Sequence, residues 1–279
     1  MNPVDVPSDD PVNAPRVGPP TLALQLYTIR EALAADRPAA LARVAGLGIT
    51  AVESFRLGVG DDGVAEARAF RSDLDAAGLS AGWAHAPAPL DARCDPVLDA
   101  ADIVGVHTLV VPSPGMVEGF SADSFADAGA TRALGERLRE STENAARRGV
   151  RLAYHNHYRE FTRLDEGTAY DILLDAAGPD LLLELDVYWA QTGGADPATL
   201  ADRLGPRLRS LHLKDGPAEP KMDQLAIGAG IVDNAGAVLA AGSAELHVIE
   251  VDRCAGDVWE LVEQGVTWCR AHSGLGQIA

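Results

Sequence analysis

The chain has 279 residues, 47% of them apolar and 23% charged. These proportions are ordinary for a soluble globular protein and exclude wholesale disorder and fibrous architectures. A formal charge of -18, from 41 acidic against 23 basic residues, repels phosphate backbones and anionic lipid surfaces, so neither nucleic acid nor a membrane is an expected partner. Length alone allows one large α/β domain or two small ones, and the elements must decide.

Residues 1–20 hold six prolines and three aspartates. They lack the basic start and apolar core of a signal peptide and read as a disordered or surface-draped arm. No apolar run approaches the roughly 20 residues that cross a bilayer. Cys94, Cys254 and Cys269 are widely spaced and contain no C-x-x-C pair, which argues against a disulfide framework or a thiolate zinc site. The expected compartment is the cytoplasm.

From Leu22 onward, short β-type runs alternate with longer amphipathic stretches. The strands are predicted at Leu22 to Tyr27, Ile49 to Ser54, Leu79 to Ala84, His107 to Val111, Val150 to His155, Leu181 to Val187, Leu208 to Leu213 and Leu246 to Val251. Helical patterns fill the gaps: Pro38 to Ala45 behind a capping Asp36, Val64 to Ala77, Pro96 to Val104, Ala130 to Arg148, Thr168 to Ala177, Pro197 to Leu204, Asn234 to Ala240 and Val258 to Arg270. Eight such units over 21–272 predict a single-domain (β/α)8 TIM barrel followed by a short tail at 273–279. A doubly wound sheet is the alternative, but the turn after the first strand, Thr28-Ile29-Arg30, has no glycine.

Barrel chemistry sits at the C-terminal ends of strands, so position sorts the polar residues before their type is considered. His107 and His247 begin strands and read as structural. His85, His155, His157 and His212 fall at strand ends. Residues two apart share a strand face, which pairs Glu184 with Asp186, His212 with Lys214, and Glu250 with Asp252. Carboxylates facing a leucine-rich interior need a cation or hydrogen-bonding partners. Asp186, His212, Glu250 and one ligand from the fifth strand would form an oxygen-rich site suited to Mn²⁺, Mg²⁺ or Co²⁺. The competing reading is a set of rim ion pairs with arginines.

The fifth strand offers His155, His157 and Glu160. Lysine usage is a separate signal, since the chain has only Lys214 and Lys221, both after the seventh strand. Lys214 could anchor a substrate oxygen as a compact charge, or it could be a solvated loop residue. Gln25, Tyr27, Glu53, His85 and Trp189 are further candidates to contact substrate. The segment Ile227-Gly228-Ala229-Gly230 resembles a phosphate-cradling turn but lacks the strand before it and the long helix after it.

Taken together, Leu-Gln-Leu-Tyr-Thr at 24–28, Tyr-His-Asn-His at 154–157 with Glu160-Phe161, Glu-Leu-Asp-Val-Tyr-Trp at 184–189, Leu-His-Leu-Lys-Asp at 211–215 and Val-Ile-Glu-Val-Asp at 248–252 resemble the xylose-isomerase-like barrel superfamily of sugar isomerases and epimerases. The resemblance covers the chain from Leu22 to Arg270. It implies a divalent metal held by Asp186, His212 and Glu250 with a glutamate from strand five. His155 stands where the common pattern has that glutamate, so Glu160 is the expected fourth ligand and His155 its rival.

The implied reaction is isomerisation or epimerisation of a sugar or keto-sugar by proton abstraction next to a carbonyl, through an enediolate that the metal stabilises. Glu250 would move the proton, with Glu160, His155 or His157 on the opposite face. A lyase, either a dehydratase or a keto-glycoside-cleaving enzyme, is the alternative on the same scaffold; a non-catalytic sugar-binding barrel is a further one. The partner is a small sugar, and assembly as a homo-oligomer is compatible with the sequence.

Overall fold

The computed structural model describes residues 18–59, 63–272 and 274; the predicted arm up to residue 17 and nearly all of the tail lie outside them. Eight parallel strands close into a barrel in the order β1-β10-β9-β8-β5-β4-β3-β2. They are β1 (Thr21–Gln25), β2 (Ala51–Ser54), β3 (Ser80–His85), β4 (Thr108–Val111), β5 (Arg151–His155), β8 (Leu182–Asp186), β9 (Leu208–Leu213) and β10 (Leu246–Ile249). The remaining pair, β6 (Arg163–Leu164) and β7 (Gly167–Thr168), forms a small antiparallel hairpin outside the barrel.

The outer helices are α1 (Arg30–Ala35), α2 (Arg37–Gly46), α3 (Gly63–Ala77), α4 (Cys94–Val104), α5 (Ala128–Ala146), α6 (Ala169–Ala177), α7 (Val187–Thr192), α8 (Pro197–Leu204), α9 (Asn234–Ala240) and α10 (Val258–His272). Several begin on the residues the sequence marks. Asp36 accepts the Ala39 N–H and Asp196 the Thr199 N–H, each satisfying an amide that the first helical turn leaves free. No helix among the described residues is long and apolar enough to cross a membrane.

The barrel interior is layered. Ala23, Ala51, Trp83, Val110, Ala153, Leu182, Leu246 and Val248 form an apolar cluster inside the sheet, where three alanines make room for the one indole. Below it, Arg151 donates bidentately to Glu245 at 2.7 and 2.8 Å, and Arg209 Nε donates to the same carboxylate at 2.8 Å. Above it the polar residues gather. Strand register makes neighbours of Gln25 and Glu53, of His155 and Glu184, and of Asp186 and His212.

One boundary differs in a way that matters for the site. The first strand ends at Gln25, not Tyr27, because the Gln25 side chain accepts the Tyr27 N–H and starts a 3-10 turn over Leu26–Ile29. Tyr27 is thereby 39% exposed, with its ring 5.6 Å from Phe55, on the outside of the mouth.

Candidate functional site

Above the apolar layer, Glu53, Glu184, Asp186, His155, His212, Lys214 and Glu250 are buried together. Local structure aims several of them. Asp186 caps α7, its Oδ1 accepting the Trp189 N–H at 2.8 Å, which leaves Oδ2 turned toward Lys214 Nζ at 2.8 Å. Asn156 clamps the same strand end, donating to the Asp186 carbonyl and accepting the Asp186 N–H. Gln224 donates to Asp252 Oδ2 and accepts its N–H, fixing the end of β10.

His212 lies at the centre. Its Nδ1 is 2.7 Å from Glu250 Oε2 and its Nε2 is 2.7 Å from Glu53 Oε2 and 3.0 Å from Glu184 Oε1. His85 Nε2 reaches Glu184 Oε1 at 2.8 Å, and His155 Nδ1 reaches the same oxygen at 3.1 Å. The His85 and His212 rings stack, with centroids 5.4 Å apart. His157 is half-buried at the opening, 5.1 Å from the His155 ring and 5.8 Å from Trp189.

Lys214 is only 1% exposed, which removes the solvated-loop reading. Its ammonium lies 2.8 Å from Asp186, 2.6 Å from Glu250 and 2.9 Å from Asp252. Burial opposes its charge, but Asp186, Asp252 and Glu250 outweigh burial and hold its pKa well above the ordinary lysine value.

Burial likewise pushes Glu53 up to about 7, with Glu184 adding to it, and pushes Asp186 up to about 6 despite Lys214. For Glu184 burial is overcome by the imidazoles of His212, His155 and His85, and for Glu250 by Lys214 and His212, so both stay well below the usual carboxylate range. His157 is lowered to about 4 by burial and by Lys214, which keeps it neutral at physiological pH.

The donor set fits a divalent cation. Ligand atoms of His155, Asp186, His212 and Glu250 all lie within 4.8 Å of one another, as do those of His85, His155, Glu184 and His212. Glu53 Oε1 and Glu184 Oε2 are buried oxygens without a hydrogen-bond donor, so acceptors outnumber donors in this pocket. Among the described residues, no arginine is ion-paired with Glu53, Glu184, Asp186, Glu250 or Asp252.

Glu160 stands apart from both groups. Its Oε1 accepts from Tyr154 Oη at 2.9 Å, its Oε2 has no donor, and burial raises its pKa to about 7. Gln25, Glu53 and His85, expected to contact substrate, bond with one another: Gln25 Nε2 donates to Glu53 Oε2 at 2.7 Å, and His85 lies 3.3 Å from that oxygen. Trp189 is half-buried at the opening, 5.9 Å from Lys214 Nζ, with Tyr158 beside it.

Glu184 and Asp252 were not among the candidates for direct roles, although strand parity already paired them with Asp186 and Glu250. The glycine turn at 227–230 wraps an internal anion: Asp215 accepts N–H groups from Gly216, Gly228 and Val232 at 2.8 to 3.1 Å. A Cβ at Gly230 would collide with that carboxylate, so the cradle is filled by the chain itself.

The sequence profile of the xylose isomerase-like TIM barrel matches residues 41–241. The chain belongs to the xylose isomerase-like TIM barrel family. No curated protein sequence matches it significantly. Among solved structures, members of this architecture superpose over most of the chain. A sugar phosphate isomerase/epimerase from Parabacteroides distasonis is similar with a TM-score of 0.74 and 22% identity, covering 95% of this chain and 98% of that one. A D-allulose 3-epimerase from a Methylomonas species gives 0.67 and 16%, covering 93% and 100%. A probable 3-DHS dehydratase from Bacillus anthracis gives 0.69 and 12%, covering 90% and 98%. At these identities the likeness is one of fold.

Proposed function

We propose that this xylose isomerase-like barrel is a divalent-metal-dependent isomerase or epimerase acting on a sugar or keto-sugar. The observation that carries the reading is the convergence of His155, Asp186, His212 and Glu250 within 4.8 Å, in a site whose buried carboxylates exceed their donors. Of the two candidates for the fourth ligand, this geometry favours His155 over Glu160. Two imidazoles and two carboxylates suit Mn²⁺, Co²⁺ or Zn²⁺ better than Mg²⁺. A cation held there supplies Lewis acidity to a substrate carbonyl, a contribution of several kcal/mol to the barrier for removing the neighbouring proton.

The chain's own groups handle that proton. Glu250, kept ionised chiefly by Lys214, accepts it from the carbon next to the carbonyl. His157, neutral and half-buried at the opening, is the partner from the opposite face. Trp189 and Tyr158 form an aromatic wall on which a sugar face can stack, while the buried surroundings exclude water from the acidified carbon.

His157, free of the ligand group, also favours a second reading, elimination. An imidazole that takes the proton becomes an acid, and it can hand that same proton to a departing oxygen two bonds away, so the step balances without another donor. The cytoplasm remains the proposed setting and a small sugar the proposed partner.

The test is metal analysis of the purified protein, followed by incubation with aldoses, ketoses and 3-keto-glycosides in deuterium oxide. Deuterium in the recovered sugar is expected. Release of a substituent assigns the lyase, and a metal-loaded protein that neither exchanges nor releases anything overturns both readings.

A further inference from the structure

Each of the two shared imidazoles presents one nitrogen to each donor group. His155 turns Nδ1 down to Glu184 Oε1 at 3.1 Å and Nε2 up toward Asp186 Oδ2 at 3.7 Å. His212 turns Nε2 down to Glu53 and Glu184 and Nδ1 up to Glu250 Oε2 at 2.7 Å. A neutral imidazole carries a proton on one nitrogen and a lone pair on the other, so only one of the two levels can use each ring as a metal ligand.

The lower level is built to accept protons. The Tyr27 N–H donates to Gln25 Oε1 at 3.2 Å, which fixes the amide so that Gln25 Nε2 is the group facing Glu53. That NH₂ donates to Glu53 Oε2 at 2.7 Å, so the oxygen facing His212 Nε2 is an acceptor and the proton between them belongs to the ring. Glu184 Oε1 is the common neighbour of three ring nitrogens, those of His85, His155 and His212, at 2.8 to 3.1 Å. An ionised carboxylate at the hub of three imidazoles can only accept.

We infer that Glu184 and Glu53 are positioning residues that, when a cation is bound, hold His155 as its Nδ1–H tautomer and His212 as its Nε2–H tautomer, with Gln25 setting the acceptor face of Glu53. The lone pairs of His155 Nε2 and His212 Nδ1 are thereby aimed at the upper group, beside Asp186 and Glu250. The cation belongs in that upper group, and the lower carboxylates serve it from one bond further out, where such partners raise ligand basicity and fix ring orientation. The inference rests on the metal-dependent reading above and adds to it which ring nitrogens face the ion and what holds them there.

Two measurements test it. Imidazole-¹⁵N NMR of the wild-type protein loaded with Zn²⁺ should report N–H at His155 Nδ1 and at His212 Nε2; the opposite tautomer at either ring overturns the assignment. Zn²⁺ affinity, read by competition with a chromophoric chelator, should fall about 10–100-fold in Glu184→Gln and in Glu53→Gln. Glu245→Gln, which changes a carboxylate on the far side of the apolar layer, should bind Zn²⁺ as the wild type does. Wild-type protein that binds no divalent cation overturns the metal reading and this inference with it. Wild-type binding with unchanged affinity in both Glu184→Gln and Glu53→Gln overturns the inference alone.

Discussion

The two ends of the barrel use the same kinds of residue in opposite proportion. At the floor, two guanidinium groups, Arg151 and Arg209, surround the single carboxylate of Glu245, and Arg151 also donates to Thr108 Oγ1 at 3.0 Å. The acid there is fully met by groups that can only donate. At the mouth, Glu53, Glu184, Asp186, Glu250 and Asp252 face one ammonium and a set of imidazoles, and oxygens are left over. Arginine neutralises the end that needs only to hold together, while the end with surplus acceptors is left to groups that titrate or bind ions. The contrast separates an ion cluster whose charges are met from one whose acceptors are not, which net charge or residue type alone does not do.

The sharpest way to break this contrast is Glu250→Gln. It should lower turnover by about 10²–10⁴-fold in the deuterium-exchange assay while leaving the thermal midpoint near that of the wild type. Activity within a few-fold of the wild type would remove Glu250 from the reaction.

Lys214→Met tests the other sign of charge at the mouth. Without the ammonium, three carboxylates face one another, and the metal-free protein should lose about 3–5 kcal/mol in urea unfolding. Loading with Mn²⁺ or Zn²⁺ should restore more stability to this variant than to the wild type, since a dication answers the same oxygens. Equal metal-induced stabilisation in both proteins would mean that Lys214 and the cation address different groups.

At the floor, Glu245→Ala leaves Arg151 and Arg209 without their shared acceptor. Because Glu245 is partly open to water, the expected loss is smaller, about 2–3 kcal/mol by urea unfolding, with metal affinity unchanged. A fall in metal affinity would show that the apolar layer does not insulate one end from the other.

How much of this contrast could be read without coordinates follows from what alternation encodes. Period two along Leu181 to Val187 and Leu208 to Leu213 marks which side chains face inward, and the observed strands match within one or two residues at most ends. Asp36 and Pro197 mark helix starts by local chemistry, so they too were legible. The six-residue helices α1 and α7 were not, because so short a segment does not complete the apolar period that identifies a helix.

The meeting of His85 with Glu184, 99 residues apart in sequence, was also hidden. Alternation says that both point inward, but the stagger of the closed barrel decides which side chains meet. Lys214 shows the same limit: its place two residues after His212 was visible, while its three carboxylate partners come from β8 and from the end of β10. Asp215 shows it once more, since the glycine turn is evident in sequence and the anion it wraps is not.

The smallest expected effect is on the pH dependence of stability, and the floor is the place to read it because its groups lie across the apolar layer from the mouth. Burial, with Arg151 beside it, holds His107 below its ordinary value. Burial alone would raise Glu245, but Arg151 and Arg209 override it and hold the carboxyl below its ordinary value. Both groups bind protons more weakly in the folded chain, so the unfolded chain takes up more protons as acid is added, and stability falls with falling pH. The contribution of His107 is complete above about pH 6.5 and declines below it; that of Glu245 is complete above about pH 4.3 and is lost as the pH falls through its folded value. In urea unfolding at fixed ionic strength, His107→Gln should flatten the upper step and Glu245→Gln the lower one. A lower step that persists in Glu245→Gln would move the acid sensitivity of the fold from the floor to the carboxylates of the mouth, and the two ends would no longer be distinct in kind.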